Sequence, residues 1–231
     1  MHWLMAIEWD AVLQIIIIDL LLGGDNAVVI ALACRNLPPR LRRQGIFWGA
    51  AGAIVLRVIL ITVAVAVLNL PLLKLVGGLL LIWIGIKLIA PSGAEDGHEV
   101  AGADKLWAAI RTIIVADVVM SLDNVLAIAG AAEQADAAQR TALIVFGLLF
   151  SVPFIIFGSQ LVLRLLDRFP IIVSLGGALL GWIAGGLIVG DSLLHSRLPD
   201  LRALEYAAGA AGAILVVVAG KWLASRCPVT V

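Results

Sequence analysis

Two near-copies of one acidic motif lie inside apolar stretches of this chain. Asp19, Asp25 and Asn26 sit in Asp19-Leu-Leu-Leu-Gly-Gly-Asp25-Asn26-Ala-Val-Val-Ile, and Asp117, Asp123 and Asn124 sit in Asp117-Val-Val-Met-Ser-Leu-Asp123-Asn124-Val-Leu-Ala-Ile, 98 residues later. Both read D-x5-D-N. A carboxylate in hydrocarbon costs about 2.5–3.5 kcal/mol on insertion scales, so four together cost on the order of 10 kcal/mol unless something offsets it. A cation cargo would do so. Carboxylate, amide, hydroxyl and backbone carbonyl oxygens form a hard ligand set that suits Mn²⁺, Mg²⁺ or Ca²⁺. His2, His98 and His195 all fall outside the apolar spans and no thiolate cluster exists, which speaks against Zn²⁺ or Cu⁺.

The spacing constrains the backbone that must present these groups. Six residues of ideal helix turn the chain by about 600°, so Asp19 and Asp25 would point about 120° apart, while Asp19 and Asn26 would share a face. Unwinding at Gly23-Gly24 would swing Asp25 inward and free carbonyl oxygens, as in the broken helices of transporters. The second copy has Val119, Met120, Ser121 and Leu122 in place of the glycine pair. A milder break is expected there, with Ser121 adding a hydroxyl near the face of Asp117. Arg57, near the middle of another apolar segment, is a candidate counter-ion for the acidic cluster, or a gate that occupies it when cargo is absent.

Paired Asp residues have two other uses in membrane helices. Buried Asp and Asn could simply knit helices together, but a duplicated three-residue unit exceeds what that role needs. An intramembrane aspartyl protease would also pair two Asp residues. Its Gly-x-Gly-Asp signature is not met, because the chain reads Leu22-Gly23-Gly24-Asp25. No G-x4-G-K-[ST] loop is present, which argues against direct ATP drive, and the chain is not expected to be an enzyme. Cys34 and Cys227 form no spaced cluster and are read as structural.

The elements that carry these residues belong in a bilayer. Of 231 residues, 62% are hydrophobic and 14% charged, and the mean hydropathy is +1.10. A soluble domain cannot cover so much apolar surface. The balance of 16 basic and 16 acidic residues argues against a nucleic-acid partner. Apolar runs long enough to cross about 30 Å of hydrocarbon occur at approximately 11–33, 46–68, 71–90, 110–132, 141–163, 170–190 and 203–223. Lipid offers no partner for open backbone groups, so these seven segments are expected to be transmembrane helices and the fold all-α. No cationic stretch precedes the first one, so a cleaved signal peptide is not expected. Arg35, Arg40, Arg42 and Arg43 crowd the first connection and place it in the cytoplasm, with the N-terminus outside. Arg164 and Arg168, and then Lys221 and Arg226 at a cytoplasmic C-terminus, agree with that alternation. Lys87 is expected to snorkel to the cytoplasmic face.

The halves resemble each other beyond the acidic motif. Pro71-x5-Gly77-Gly78-x4-Trp83 is matched by Pro170-x5-Gly176-Gly177-x4-Trp182 at an offset of 99, and Gly49 aligns with Gly147. The glycine pairs are expected at close helix contacts, and Trp83 and Trp182 within the repeat packing. A three-segment unit is odd, so its second copy enters from the opposite side, giving two inverted three-helix repeats. The organisation expected is a first repeat over 1–90, a flexible cytoplasmic linker over 91–109, a second repeat over 110–190, and a loop with the seventh helix over 191–231. That last helix is read as a packing or homo-oligomer helix.

Gly23-Gly24-Asp25-Asn26 within D-x5-D-N, its apolar Ala-Val-Val-Ile sequel, and Ser121-Leu122-Asp123-Asn124 resemble the TerC family of integral membrane proteins, in particular its short seven-helix members. The resemblance covers essentially the whole chain. It implies a manganese exporter of the cytoplasmic (inner) membrane, with Asp19, Asp25, Asn26, Asp117, Asp123 and Asn124 carrying the ion. No resident cofactor is implied, since Mn²⁺ is the cargo. The expected partners are a divalent cation and the lipid bilayer. Transport of Ca²⁺ or another divalent cation, and a non-transport role as a membrane partner protein in metal stress, are the alternatives.

Overall fold

The computed structural model describes residues 16–17, 24–63, 72–90, 102–132, 140–191 and 201–226, with the side chains of all but 62, 123–132, 140–144 and 201–202. Among the described residues the chain forms seven α-helices and no strand: α1 Gly24–Cys34, α2 Pro39–Thr62, α3 Leu73–Ile89, α4 Gly102–Ala132, α5 Arg140–Arg168, α6 Ile171–Val189 and α7 Leu201–Arg226. Four of them, at Pro39–Ile61, Val145–Arg168, Ile171–Val189 and Ala203–Arg226, are long and apolar enough to cross a membrane. The chain is thus an all-helical polytopic membrane protein. α3 is apolar over 17 residues, and α4 carries the charges of the motif within its apolar sequence.

Several helices outrun their apolar runs. α2 begins at Pro39, where the residues expected to span start at 46, and α5 continues to Arg168 beyond an expected end at 163. Pro39 sits in the first turn, where its missing N–H would have no intrahelical partner anyway. α4 begins at Gly102, inside the stretch expected to be linker, with Asp104 in its first turn, where a negative charge favours the helix dipole.

The connections show which helix ends share a face of the bundle. Arg42 donates from Nε to Leu37 O (2.9 Å), from Nη2 to Arg35 O (2.6 Å) and from Nη1 to Asp167 Oδ2 (3.0 Å). Arg35 Nη2 reaches Ile89 O at 3.5 Å. The α1–α2 turn and the C-terminal ends of α3 and α5 therefore lie together. At the other face, buried Asp191, just past α6, accepts from Leu75 N at the start of α3 (3.3 Å). Leu72 there has φ 65 and offers no side-chain cap of its own, so Asp191 serves one of the donors a helix start leaves open.

Two apolar clusters fill the interior, and α1 and α4 contribute to both. Ile30, Leu32, Ile46, Ile113 and Leu163 form one with α2 and α5. Val29, Leu81, Met120 and Leu180 form the other with α3 and α6. The helix contacts have a reciprocal pattern when α1, α2 and α3 are exchanged for α4, α5 and α6. α2 packs on α4 as α5 packs on α1, α3 on α4 as α6 on α1, and α1 on α2 as α4 on α5. The contact of α5 with α6 has no α2–α3 counterpart of like extent among the described residues.

Glycines mark the crossings. A Cβ built on Gly78 would lie 2.6 Å from Ile188 Cγ1, and one on Gly177 would lie 2.6 Å from Ile89 Cγ1. These two contacts exchange at an offset of 99 residues. Gly77 meets Val119 of α4, while Gly176 meets Val28 and Leu32 of α1. With those glycines turned inward, Trp83 follows Gly78 by five residues, about 140° around the helix, and it is 58% exposed. The expectation that it packs within the repeat is therefore corrected. Trp182 is also exposed, lying beside Tyr206 with 6.1 Å between ring centroids and facing Gly209. α7 lies on α6 and α3. Gly181 and Gly185 face backbone of Gly212 and Ala208, a small-residue crossing that lets two membrane helices approach closely.

Candidate cation site between α1, α2 and α4

α4 runs without interruption through its copy of the motif. The milder break expected at Val119-Met120-Ser121-Leu122 is not there. These residues lack the glycine pair, and buried Val119, Met120 and Leu122 hold the regular backbone in place. On a regular helix Asp117 and Ser121 are four residues apart and share a face. Ser121 Oγ donates to Asp117 Oδ2 at 3.3 Å.

α2 faces this pair with Arg57. Its Nη2 donates to Asp117 Oδ1 at 2.5 Å and its Nε to Ser121 Oγ at 3.1 Å. Arg57 is 2% exposed, Asp117 5% and Ser121 0%. The three side chains close a ring in which both carboxylate oxygens and the hydroxyl are engaged. A buried ion pair is tolerable only with this degree of satisfaction, because desolvation costs several kcal/mol per ion.

α1 brings Asn26 to the same place. Asn26, Val29, Ile30, Ile113 and Asp117 line one small pocket. Asn26 is 4% exposed, and among the described residues neither its Oδ1 nor its Nδ2 has a hydrogen-bond partner. Leaving a buried polar group unbonded costs about 1–3 kcal/mol. The neighbouring Asp25 lies in the first turn of α1 and accepts from Asn26 N at Oδ1 (2.8 Å).

Of the residues singled out from sequence, Asn26, Arg57, Asp117 and Ser121 are thus brought together, and Asp25 adjoins them in sequence beside Asn26 in the first turn of α1. Asp19 and the side chains of Asp123 and Asn124 lie outside the described residues, as does Gly23 of the expected helix break. Among the described residues no three of His, Cys, Asp and Glu gather as a metal cluster. The oxygen donors on view are two carboxylates, one amide and one hydroxyl. Buried Asp191 was not singled out from sequence; a carboxylate directly after Gly190 at a segment end was the available signal for a cap.

The model of the integral membrane protein TerC family matches residues 5–227. The chain belongs to that family. It is similar to the uncharacterized membrane protein YjbE of Bacillus subtilis, with 43% identity over 184 residues, covering 80% of this chain and 81% of the relative. It is also similar to the membrane protein YceF of the same organism, 24% identical over 84% of this chain and 75% of that one. The UPF0053 inner membrane protein YgdQ of Escherichia coli is 26% identical over 81% of this chain and 83% of its own length. No solved structure matches the chain. Family membership covers both copies of the motif, and so includes the helices that carry Asn26, Asp117 and Ser121.

Proposed function

We propose that this TerC-family protein is a secondary transporter, and not an enzyme, that exports a divalent metal cation, Mn²⁺ first among them, from the cytoplasm. The observation that carries the reading is the buried Arg57-Asp117-Ser121 ring beside an Asn26 amide with both polar atoms unbonded. A protein that used these groups only to join helices would satisfy the amide, since α1 and α4 already pack through Ile30, Ile113 and Val29. An oxygen-seeking cation gives Asn26 Oδ1 a partner and takes up the charge of Asp117 and Asp25. Asp19, Asp123 and Asn124 complete the proposed ligand set.

Two inverted repeats are the architecture this reading requires, and the exchange of Gly78–Ile188 with Gly177–Ile89 supports it. In such transporters the site lies near the membrane midplane between the repeats, and rocking of one against the other exposes it to either side. The basic face formed by Arg35, Arg42 and the end of α5 is assigned to the cytoplasm by the positive-inside rule, with the N-terminus outside and the inner membrane as the location. Exchange for protons is the coupling reading, because a neutral Asp costs far less in hydrocarbon than a carboxylate.

The test is a metal-resolved flux assay in proteoliposomes with internal pH monitored. Mn²⁺ should move, Asp25→Asn and Asp123→Asn should abolish its flux at normal protein level, and Ca²⁺ and Mg²⁺ run alongside rank the hard cations. Zn²⁺ transport without Mn²⁺ would defeat the oxygen-ligand argument. Absence of metal binding, with growth effects unrelated to metal, would favour a membrane partner protein in its place.

A further inference from the structure

We infer that Arg57 is a built-in stand-in for the cargo: its guanidinium takes the oxygens of Asp117 and Ser121 when the cation leaves, and this closed state lets the emptied site return across the bilayer. Transport then runs as net efflux and not merely as exchange of one cation for another. The inference rests on the transport reading above.

The competition is visible atom by atom. The oxygens a cation would take from α4 are Asp117 Oδ1 and Ser121 Oγ, and Arg57 donates to both, at 2.5 and 3.1 Å. Asp117 Oδ2 is meanwhile held by the Ser121 hydroxyl. A cation can use these oxygens only if the guanidinium withdraws. Arg57 does not vacate the place by losing its proton, because arginine stays charged in proteins. It has to move.

The fit of the guanidinium is incomplete in an informative way. It satisfies α4 and leaves Asn26 of α1 unbonded in the same pocket. The arginine-filled site therefore joins α2 to α4, whereas a cation-filled site would also recruit α1. These are two discrete sets of contacts that use one carboxylate.

Placement within the repeat gives a third argument. At the offset of 98 that relates Gly49 to Gly147, Arg57 corresponds to Ile155, which is 7% exposed and belongs to an apolar cluster. The acidic motif is duplicated and the arginine is not. A charge needed only to balance the motif would be wanted in both halves. One arginine on α2, outside the motif helices, can withdraw without displacing the ligands. Without it, the return step would carry the buried Asp117 carboxylate without this cation, and desolvation of a buried charge is costly. With it, protons need balance only the remaining carboxylates.

The experiment uses purified full-length protein and Mn²⁺ as the probe. Net efflux is read into Mn²⁺-free solution, and exchange is read as release of labelled Mn²⁺ against unlabelled Mn²⁺ on the far side. Binding is read separately by Mn²⁺ electron paramagnetic resonance on solubilised protein. Arg57→Gln should keep exchange, lose about tenfold of net efflux, and bind Mn²⁺ about tenfold more tightly, within the usual range of couplings between competing contacts. Equal loss of exchange and net efflux, unchanged net efflux, or weaker binding would each overturn the inference. Where Arg57→Gln does not fold, Arg57→Lys carries the test. Lysine keeps the charge but lacks the planar fork that serves Asp117 and Ser121 together. It should retain net efflux and bind Mn²⁺ severalfold more tightly, and unchanged or weaker binding overturns the inference. Wild-type protein that neither binds nor moves Mn²⁺ sinks the transport reading itself, and this one with it.

Discussion

Arg57 Nη2 and Asp117 Oδ1 stand 2.5 Å apart in the interior of the helix bundle, joined across 60 residues of sequence and almost wholly shielded from solvent. Removing either partner takes from the other the opposite charge it faces, while Ser121 still bonds what is left. Asp117→Asn or Arg57→Gln should each cost about 3–5 kcal/mol of stability, whereas Arg57→Gln with Asp117→Asn should cost well under the sum. Thermal unfolding of the four proteins in one detergent gives the cycle. Strict additivity would mean that the pair is not coupled.

Mn²⁺ should stabilise Arg57→Gln more than it stabilises the wild type, because the cation then supplies the missing positive charge. Binding to the folded state alone raises stability by about 2.7 kcal/mol at a hundredfold excess over Kd. A melting-temperature shift no larger in the variant than in the wild type contradicts this.

Asn26→Leu separates function from folding. The amide makes no hydrogen bond and lies among Val29, Ile30 and Ile113, so an apolar side chain of similar size should leave stability unchanged or raise it by about 1–2 kcal/mol. Mn²⁺ affinity should fall by about tenfold or more with the loss of an oxygen donor. Loss of stability without loss of affinity would make Asn26 a structural residue.

Glycines at the crossings should tolerate a methyl group very unequally. A Cβ on Gly78 would lie 2.7 Å from the carbonyl oxygen of Ala184, a backbone atom that cannot swing aside as a side chain can. Gly78→Ala should therefore cost about 1–3 kcal/mol. Among the described residues Gly24 has nothing within 4 Å of such a Cβ, so Gly24→Ala should gain up to about 1 kcal/mol from helix propensity. Fluorescence-detected size exclusion after graded heating ranks the two.

Arg42 binds two loop carbonyls as well as Asp167, whose side chain is 56% exposed. Arg42→Ala should cost about 1–3 kcal/mol, while Asp167→Ala should cost no more than about 1 kcal/mol. Equal losses would show that the ion pair, and not the carbonyl clamp, is what Arg42 contributes.

The motif residues were legible because charge inside an apolar run is expensive and therefore conspicuous, and the glycine pairs because they recur at one offset. Helix ends were less so. Hydropathy falls at Arg42, Arg43 and Asp104, yet α2 and α4 already run through these residues, since a helix end in water accepts charges that hydrocarbon does not. The face presented by Trp83 was misjudged for a different reason: recurrence in both halves shows that a position matters to the repeat without showing which way it points. The sequence offers Arg57 as a counter-ion or gate for the acidic cluster as a whole, and the ring it closes with Asp117 and Ser121 joins helices that no local pattern pairs, so which member of the cluster it meets is not legible there. The arginines of the first connection were read for their sign alone, and the hydrogen bonds that Arg35 and Arg42 make to carbonyl oxygens have no signature in a charge count.

The reciprocal contacts of Gly78 with Ile188 and of Gly177 with Ile89 have the form of an isologous interface, in which one knob and one hole serve both sides. Such a surface is complementary to itself. A three-helix unit bearing it would close on its own twin without a second sequence to match, and covalent fusion would then free each half to diverge. On that view α7, which packs on α6 and α3 and has no mate among the six helices that exchange, is the piece that makes the two sides of the bundle unequal.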